Sequence, residues 1–211
     1  MTTFILDVAP HTACDQFPET TVLEYLRETL HRTGTKEGCA SGDCGACTVV
    51  LAEETKEQEL RYRSINACIT LLGTIHGKQL LTVENLACDG HLHICQQAMV
   101  DEHGSQCGFC TPGIVMSLFA HSKSGADPGR NGLLHSLSGN LCRCTGYKPI
   151  LSAGSVVDTQ TEGDHFDAIK SETLDKLRAI QPFDHKSAGD GRCFKICNDV
   201  AEVASFLTMR P

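Results

Sequence analysis

Two sets of four cysteines constrain this chain more than any other feature: Cys39, Cys44, Cys47 and Cys68, then Cys107, Cys110, Cys142 and Cys144. Each set is a complete ligand complement for one metal centre, so the fold must gather four thiols twice within 211 residues. Thirteen cysteines without a basic-then-apolar leader point to a reducing compartment and to metal binding rather than disulfides. The expected location is the cytoplasm. No apolar stretch approaches membrane-spanning length, and a formal net charge of −8 without a basic stripe argues against nucleic-acid binding.

The first set reads Cys39-x4-Cys44-x2-Cys47 and then Cys68, the spacing of plant-type [2Fe–2S] proteins. Gly38, Gly42 and Gly45 lie where a loop must turn tightly and aim backbone N–H groups at sulfur. Structural zinc usually takes two short hooks, whereas here three thiols crowd one loop and a distant one completes the set. In the second set Cys107-x2-Cys110 precedes Cys142-x-Cys144; the one-residue gap is awkward for tetrahedral zinc, and by spacing alone this set is ambiguous. Its context adds more: Thr111 reads as an N-cap and Pro112 as the first residue of a helix through Ile114–Phe119, so the centre would sit at a helix N-terminus. Cys142–Gly146 lies on a turn between two helical stretches. Two such centres on one chain suggest electron transfer.

Four strings carry a family resemblance: Gly34-Thr35-Lys36-Glu37-Gly38-Cys39, Gly42-Asp43-Cys44-Gly45-Ala46-Cys47, Gln106-Cys107-Gly108-Phe109-Cys110-Thr111-Pro112-Gly113 and Gly139-Asn140-Leu141-Cys142-Arg143-Cys144-Thr145-Gly146-Tyr147. In this order, from about Phe4 to Ser155, they resemble the iron–sulfur portion of molybdenum hydroxylases, most of all the small subunit of bacterial xanthine dehydrogenases. The resemblance implies an α+β chain: a plant-ferredoxin-like β-grasp domain over 1–84, then an all-α helical-bundle [2Fe–2S] domain over 85–158. It implies two [2Fe–2S] clusters relaying electrons from a molybdopterin-binding large subunit to an FAD-binding domain or subunit and on to NAD, during hydroxylation of a purine such as hypoxanthine or xanthine. Cys39, Cys44, Cys47 and Cys68 would hold the cluster on the flavin side. Cys107, Cys110, Cys142 and Cys144 would hold the one nearest the molybdopterin, with Gln106 and Cys144 placed to contact the pterin. Gln106 also reads as a plain helix-end amide bonded to backbone. Aldehyde, carbon monoxide and other N-heterocycle hydroxylases share these motifs, and a free-standing ferredoxin-like carrier or a zinc-stabilised module stay open beside them.

Periodicity fills in the elements. Thr3–Val8, Thr48–Leu51, Leu60–Ser64 and Leu80–Val83 read as strands, with Glu53–Glu59 as a solvated hairpin tip. Thr21 and Glu24 form a capping box opening a helix with Val22, Leu26 and Leu30 on one face. Beyond Glu84 the period becomes helical, over 93–103 ending at Gly104 as C′, then 111–122, 131–137 and 149–157. Residues 159–192 read as a linker with one weak helix around 171–180 and a flexible break at Ala188–Gly191. Residues 193–211 resemble the incomplete start of a flavin domain, with no flavin-binding glycine loop. His91, His93 and Cys95 could pass for a metal hook, but they read more simply as exposed polar residues at a helix start. Cys14, Cys88, Cys95, Cys193 and Cys197 read as small buried or semi-exposed thiols.

Overall fold

The computed structural model describes residues 1–14, 16–125, 128–159, 163–182, 186–187, 193–197 and 199–208; the side chains of 186, 187 and 193 are outside that description. The sequence-expected break at Ala188–Gly191 lies outside the described residues.

Two antiparallel hairpins form the sheet. β1 (Thr2–Leu6) pairs with β2 (Ala9–Ala13), and β3 (Thr48–Glu54) pairs with β4 (Leu60–Asn66). β5 (Gln79–Leu81) slots between them, parallel to β1 and antiparallel to β3, giving the order β2-β1-β5-β3-β4. The strand expected over Thr3–Val8 therefore stops at Leu6. Asp7, at φ 63°, and Val8 make a two-residue turn, and the chain returns as β2. Pro10 is tolerated because β2 is an edge strand. The last strand also ends earlier than Val83, where a 3-10 turn (Val83–Asn85) takes over.

β3 explains why the two halves of the chain are one packed body. Its run Val49-Val50-Leu51-Ala52 is buried on both faces, so it reads as continuous rather than alternating apolar sequence. Val49 and Leu51 face a core with Phe4, Val22, Leu26 and Leu72. Val50 and Ala52 face the opposite way, into a core with Met99, Ile114, Leu118, Phe119 and Ile150. The expected helical bundle is thus present but uses the sheet as one wall.

α1 (Val22–Glu24) starts with the expected capping box: Thr21 Oγ1 accepts from Glu24 N–H and the Glu24 carboxylate accepts from Thr21 N–H. It continues as a π turn (Tyr25–Thr29) that sequence periodicity did not signal. The second half consists of α2 (Ile94–Asp101), α3 (Thr111–Lys123), α4 (Arg130–Ser136) and α5 (Lys148–Asp158). α2 ends in a Schellman turn. His103, at φ 54°, is the C′ residue in place of Gly104, whose own N–H reaches Met99 O. Gly104 is needed for room instead, because a Cβ there would lie 2.6 Å from Met99 Sδ.

Within the segment read as a linker, residues 163–180 form a docked strap that includes the helix expected around 171–180. α6 (His165–Ala168) and α7 (Lys170–Ala179) bury Phe166, Leu174 and Leu177. Lys176 Nζ donates to Val8 O at 2.7 Å, Arg178 pairs with Glu54, and Lys170 pairs with Glu59. Glu53 is likewise no free hairpin tip: it lies in β3 against Arg61, Arg63 and Lys78. Beyond the strap are β6 (Lys186–Ser187), β7 (Cys193–Phe194) and α8 (Val200–Thr208).

Candidate metal centres

The first cysteine loop hangs between α1 and β3. Arg27 pins its entry by donating to Thr35 O at 2.9 Å, and Lys36 N–H donates to Ala46 O at 3.3 Å. Inside the loop Ala40, Gly42 and Gly45 all have positive φ, which turns successive N–H groups inward. Three of them converge on one sulfur: Ser41, Asp43 and Cys44 N–H approach Cys39 Sγ at 3.5, 3.3 and 3.4 Å. With the Ser41 hydroxyl and these amides beside it, the Cys39 thiol falls to about 6. The donor arrangement is the one the glycine spacing predicts, but Ala40 taking a left-handed conformation was not signalled. Cys68 arrives from the end of β4, where Ala67 N–H donates to Cys47 O at 3.2 Å, and its sulfur lies 3.3 Å from Cys47 Sγ. Burial pushes the Cys47 thiol up to about 12.

The second loop pair lies at the N-terminus of α3. Cys110, not Thr111, is the N-cap, Thr111 is already helical, and its hydroxyl bonds Ser105 Oγ at 2.7 Å. Pro112 therefore sits one residue further in, where its missing N–H is still harmless. Cys142 is buried; burial opposes its ionisation, but the Thr145 hydroxyl at 3.2 Å, together with the Thr145 and Cys144 amides and the Cys110 thiol, brings its pKa down. Tyr147 braces the loop from below: its hydroxyl accepts Cys142 N–H at 2.7 Å and donates to Asn140 O at 3.4 Å. It does so from a left-handed conformation, φ 66°, immediately before α5.

The thiols are arranged in pairs. Cys47 Sγ lies 3.3 Å from Cys68 Sγ, while the ionisation of Cys39, Cys107 and Cys110 responds to the thiols of Cys44, Cys144 and Cys142 in turn. Among the described residues no three Cys, His, Asp or Glu side chains close around a single ion position. Four sulfurs in two pairs suit a binuclear iron–sulfur core, in which each iron takes two thiolates, better than one tetrahedral ion. In the second set Cys107 and Cys144 are exposed and Cys110 and Cys142 lie inward, so one pair faces solvent. Gln106 is exposed beside them.

The two loops meet in a seam that spacing could not foretell. Leu141 N–H donates to Cys44 O at 2.9 Å, joining a residue of the first set to the neighbour of one in the second. Asn140, buried, donates through Nδ2 to Gly45 O (3.1 Å) and Thr48 Oγ1 (3.2 Å), and its Oδ1 accepts from Ser117 at 2.6 Å. Contact is so close that a Cβ at Gly113 would lie 2.1 Å from Gly45 O, and one at Gly45 would lie 2.3 Å from Gly139 O.

Comparison with known proteins matches residues 6–73 to the family described as a 2Fe-2S iron-sulfur cluster binding domain, and residues 82–155 to a [2Fe-2S] binding domain. Quinoline 2-oxidoreductase from Pseudomonas putida 86 superposes with a TM-score of 0.62 and 31% identity, covering 74% of this chain and 92% of that one. The chain belongs to the iron–sulfur portion of the molybdenum hydroxylases. Among relatives of this family, xanthine dehydrogenase of Blastobotrys adeninivorans is 46% identical over 155 residues, 72% of this chain. Aldehyde oxidoreductase from Desulfovibrio gigas superposes with a TM-score of 0.66 at 29% identity, covering 90% of this chain and 19% of that one. The chain spans 11% of the length of the xanthine dehydrogenase it matches. Like other iron–sulfur portions of molybdenum hydroxylases, it carries two 2Fe-2S binding domains.

The apparent hook His91, His93 and Cys95 is no such thing, and His93 is not exposed. His93 is buried; its Nδ1 accepts Cys95 N–H at 3.2 Å as an N-cap, and its Nε2 lies 2.8 Å from Asp164 Oδ2. Cys95 is buried, with its thiol pushed up to about 12, while Cys14 and Cys88 are exposed and Cys197 half-buried. The residues that sequence reasoning missed are Asn140, Ser117, Thr48, Thr145 and Tyr147. Asn140 and Tyr147 stood in the quoted motif, but the Asn140 partners Thr48 and Gly45 are 92 and 95 residues away, so no local pattern exposes the link.

Proposed function

We propose that this chain relays electrons inside a xanthine dehydrogenase-like molybdenum hydroxylase, with one [2Fe–2S] cluster on Cys39, Cys44, Cys47 and Cys68 and a second on Cys107, Cys110, Cys142 and Cys144. The observation that carries the reading is a loop whose Ser41, Asp43 and Cys44 N–H groups converge on Cys39 Sγ, with Cys47 and Cys68 Sγ 3.3 Å apart, joined to the second cysteine set by a direct hydrogen bond, Leu141 N–H to Cys44 O. The clusters supply one-electron redox chemistry. The protein supplies N–H donors that favour the charged sulfurs, hydrophobic cover, and a fixed separation between the two loops.

Within this reading residues 1–84 and 85–158 are the two cluster-bearing domains, 159–192 connects onward, and 193–211 begins a flavin-domain-like segment. A molybdopterin subunit docks at the exposed Cys107 and Cys144 side, where Gln106 and Cys144 contact the pterin, and an FAD domain receives electrons at the other set. Purines are the proposed substrates and NAD the acceptor, with aldehydes as the alternative, since xanthine dehydrogenases and aldehyde oxidases are about equally similar to this chain. No helix among the described residues is long and apolar enough to cross a membrane, and a cytoplasmic site suits the abundance of thiols.

The test is spectroscopic. Dithionite reduction of the loaded chain should bleach a red-brown colour and give two distinguishable EPR signals. Cys44→Ser should alter one and spare the other, and the chain alone should show no purine oxidation. A colourless zinc-containing chain, or purine turnover without molybdenum, would defeat the reading.

A further inference from the structure

Asn140 stands out among the polar side chains that the cluster-holding role leaves unexplained. It is 5% exposed, and its amide bonds none of the eight candidate ligand sulfurs; its partners are the loop of the other cysteine set and a helix. Both hydrogens of Nδ2 are used across the seam, one on Gly45 O and one on Thr48 Oγ1, while Thr48 Oγ1 itself donates to Gly45 O at 2.7 Å. The remaining acceptor, Oδ1, is held by Ser117 from the middle of α3. A buried amide with these valences filled is rigid, since the flipped orientation would set Oδ1 against the Gly45 carbonyl, an acceptor facing an acceptor.

We infer that Asn140 is the positioning residue that sets the register between the two cluster loops, and that this register keeps Leu141 N–H on Cys44 O. The inference rests on the two-cluster reading above and adds to it which side chain fixes the separation. No ligand lies on Asn140, so it acts through backbone placement: Gly45 follows Cys44, and Leu141 lies between Asn140 and Cys142. In the exchange it serves, one electron leaves the reduced cluster of one set and arrives at the oxidised cluster of the other. No bond forms or breaks and no proton moves. Such transfer depends steeply on separation and on the bonded path, so a shift of the loops has a large kinetic effect while each cluster keeps its four sulfurs.

The experiment uses the full chain carrying both clusters. Asn140→Asp keeps the shape but puts a carboxylate oxygen against Gly45 O and Thr48 Oγ1; Ser117→Ala removes only the donor that holds Oδ1. Electrons are injected by pulse radiolysis, their redistribution between the clusters is followed optically, and spin–spin splitting is read by low-temperature EPR in the fully reduced protein. The expected result is redistribution slowed about tenfold or more in Asn140→Asp, in line with what displacement of a pre-organised site costs. Ser117→Ala should show a smaller slowing, the splitting should narrow in the same order, and each cluster's own g-values should be kept. Rates and splitting equal to wild type in Asn140→Asp overturn the inference. If Asn140→Asp does not take up both clusters, unchanged values in Ser117→Ala overturn it and a slowed, narrowed Ser117→Ala supports it. A wild-type chain with a single cluster signal sinks the two-cluster reading itself, which is a separate failure.

Discussion

Replacing Asp164 by Asn should release the strap formed by α6 and α7. Asp164 Oδ1 caps α6 by accepting Phe166 and Asp167 N–H at 2.9 and 3.2 Å, and also accepts Lys123 Nζ at 2.7 Å. Its Oδ2 accepts from His93 Nε2 at 2.8 Å. The His93 tautomer is fixed by its surroundings: Nδ1 accepts Cys95 N–H, so Nε2 carries the proton and donates. Asn is as good an N-cap as Asp, yet here its NH2 must face either the His93 N–H or the Lys123 ammonium together with two backbone donors. Lys123 is 9% exposed and keeps only Asp167, itself half exposed, as a charged partner. Loss of a charge-assisted bond plus a buried donor left facing a donor costs about 3 kcal/mol. By hydrogen exchange, amides in 165–179 should lose roughly two decades of protection if the strap opens alone. If it opens only with the whole body, Tm should fall by about 6–12 °C instead. Protection changed by less than about threefold, with Tm also unchanged, would refute the argument, since even one lost neutral hydrogen bond is worth that much.

The same carboxylate makes the strap acid-sensitive. Burial opposes ionisation, but His93 and Lys123 outweigh it and hold Asp164 well below the usual carboxylate range. Its stabilisation is therefore complete above the unfolded value of about 4 and is lost as pH falls through and below it, so strap protection should decline in that window for wild type and not for Asp164→Asn. Gly113→Ala should drive α3 from the Gly45 carbonyl at about 1–3 kcal/mol and lower cluster content per chain, whereas Gly139→Ala, with open space and no positive φ, should not; iron and sulfide analysis checks both. Tyr147→Phe leaves Cys142 N–H without its acceptor, at a cost of about 1 kcal/mol, and should shift the EPR signal of the second set while leaving the first unchanged. In the complete assembly, Gln106→Ala should slow cluster reduction by substrate but not by an NADH-type donor through the flavin; equal slowing of both routes would place Gln106 elsewhere.

The two candidate cysteine loops were legible in the sequence because thiolate chemistry ties residue type to spacing. Cys39-x4-Cys44-x2-Cys47 and Cys107-x2-Cys110 each place candidate ligands close together along the chain, and the glycines beside them mark where backbone must curl. The capping box at Thr21 and the apolar period of α3 are equally local, and they formed where expected. Tertiary structure decided everything that depends on residues far apart. Val50 and Ala52 tie the two halves of the chain together, because a strand buried on both faces must have a partner on each. His93 passed for an exposed polar residue until Asp164, 71 positions later, folded back to accept a hydrogen bond from its ring N–H. Asn140 carries no distinguishing mark in the string around it. Its role exists only because the two cysteine loops, which sequence alone presents as independent, close against each other and leave a buried gap that an amide with two donors and one acceptor can satisfy.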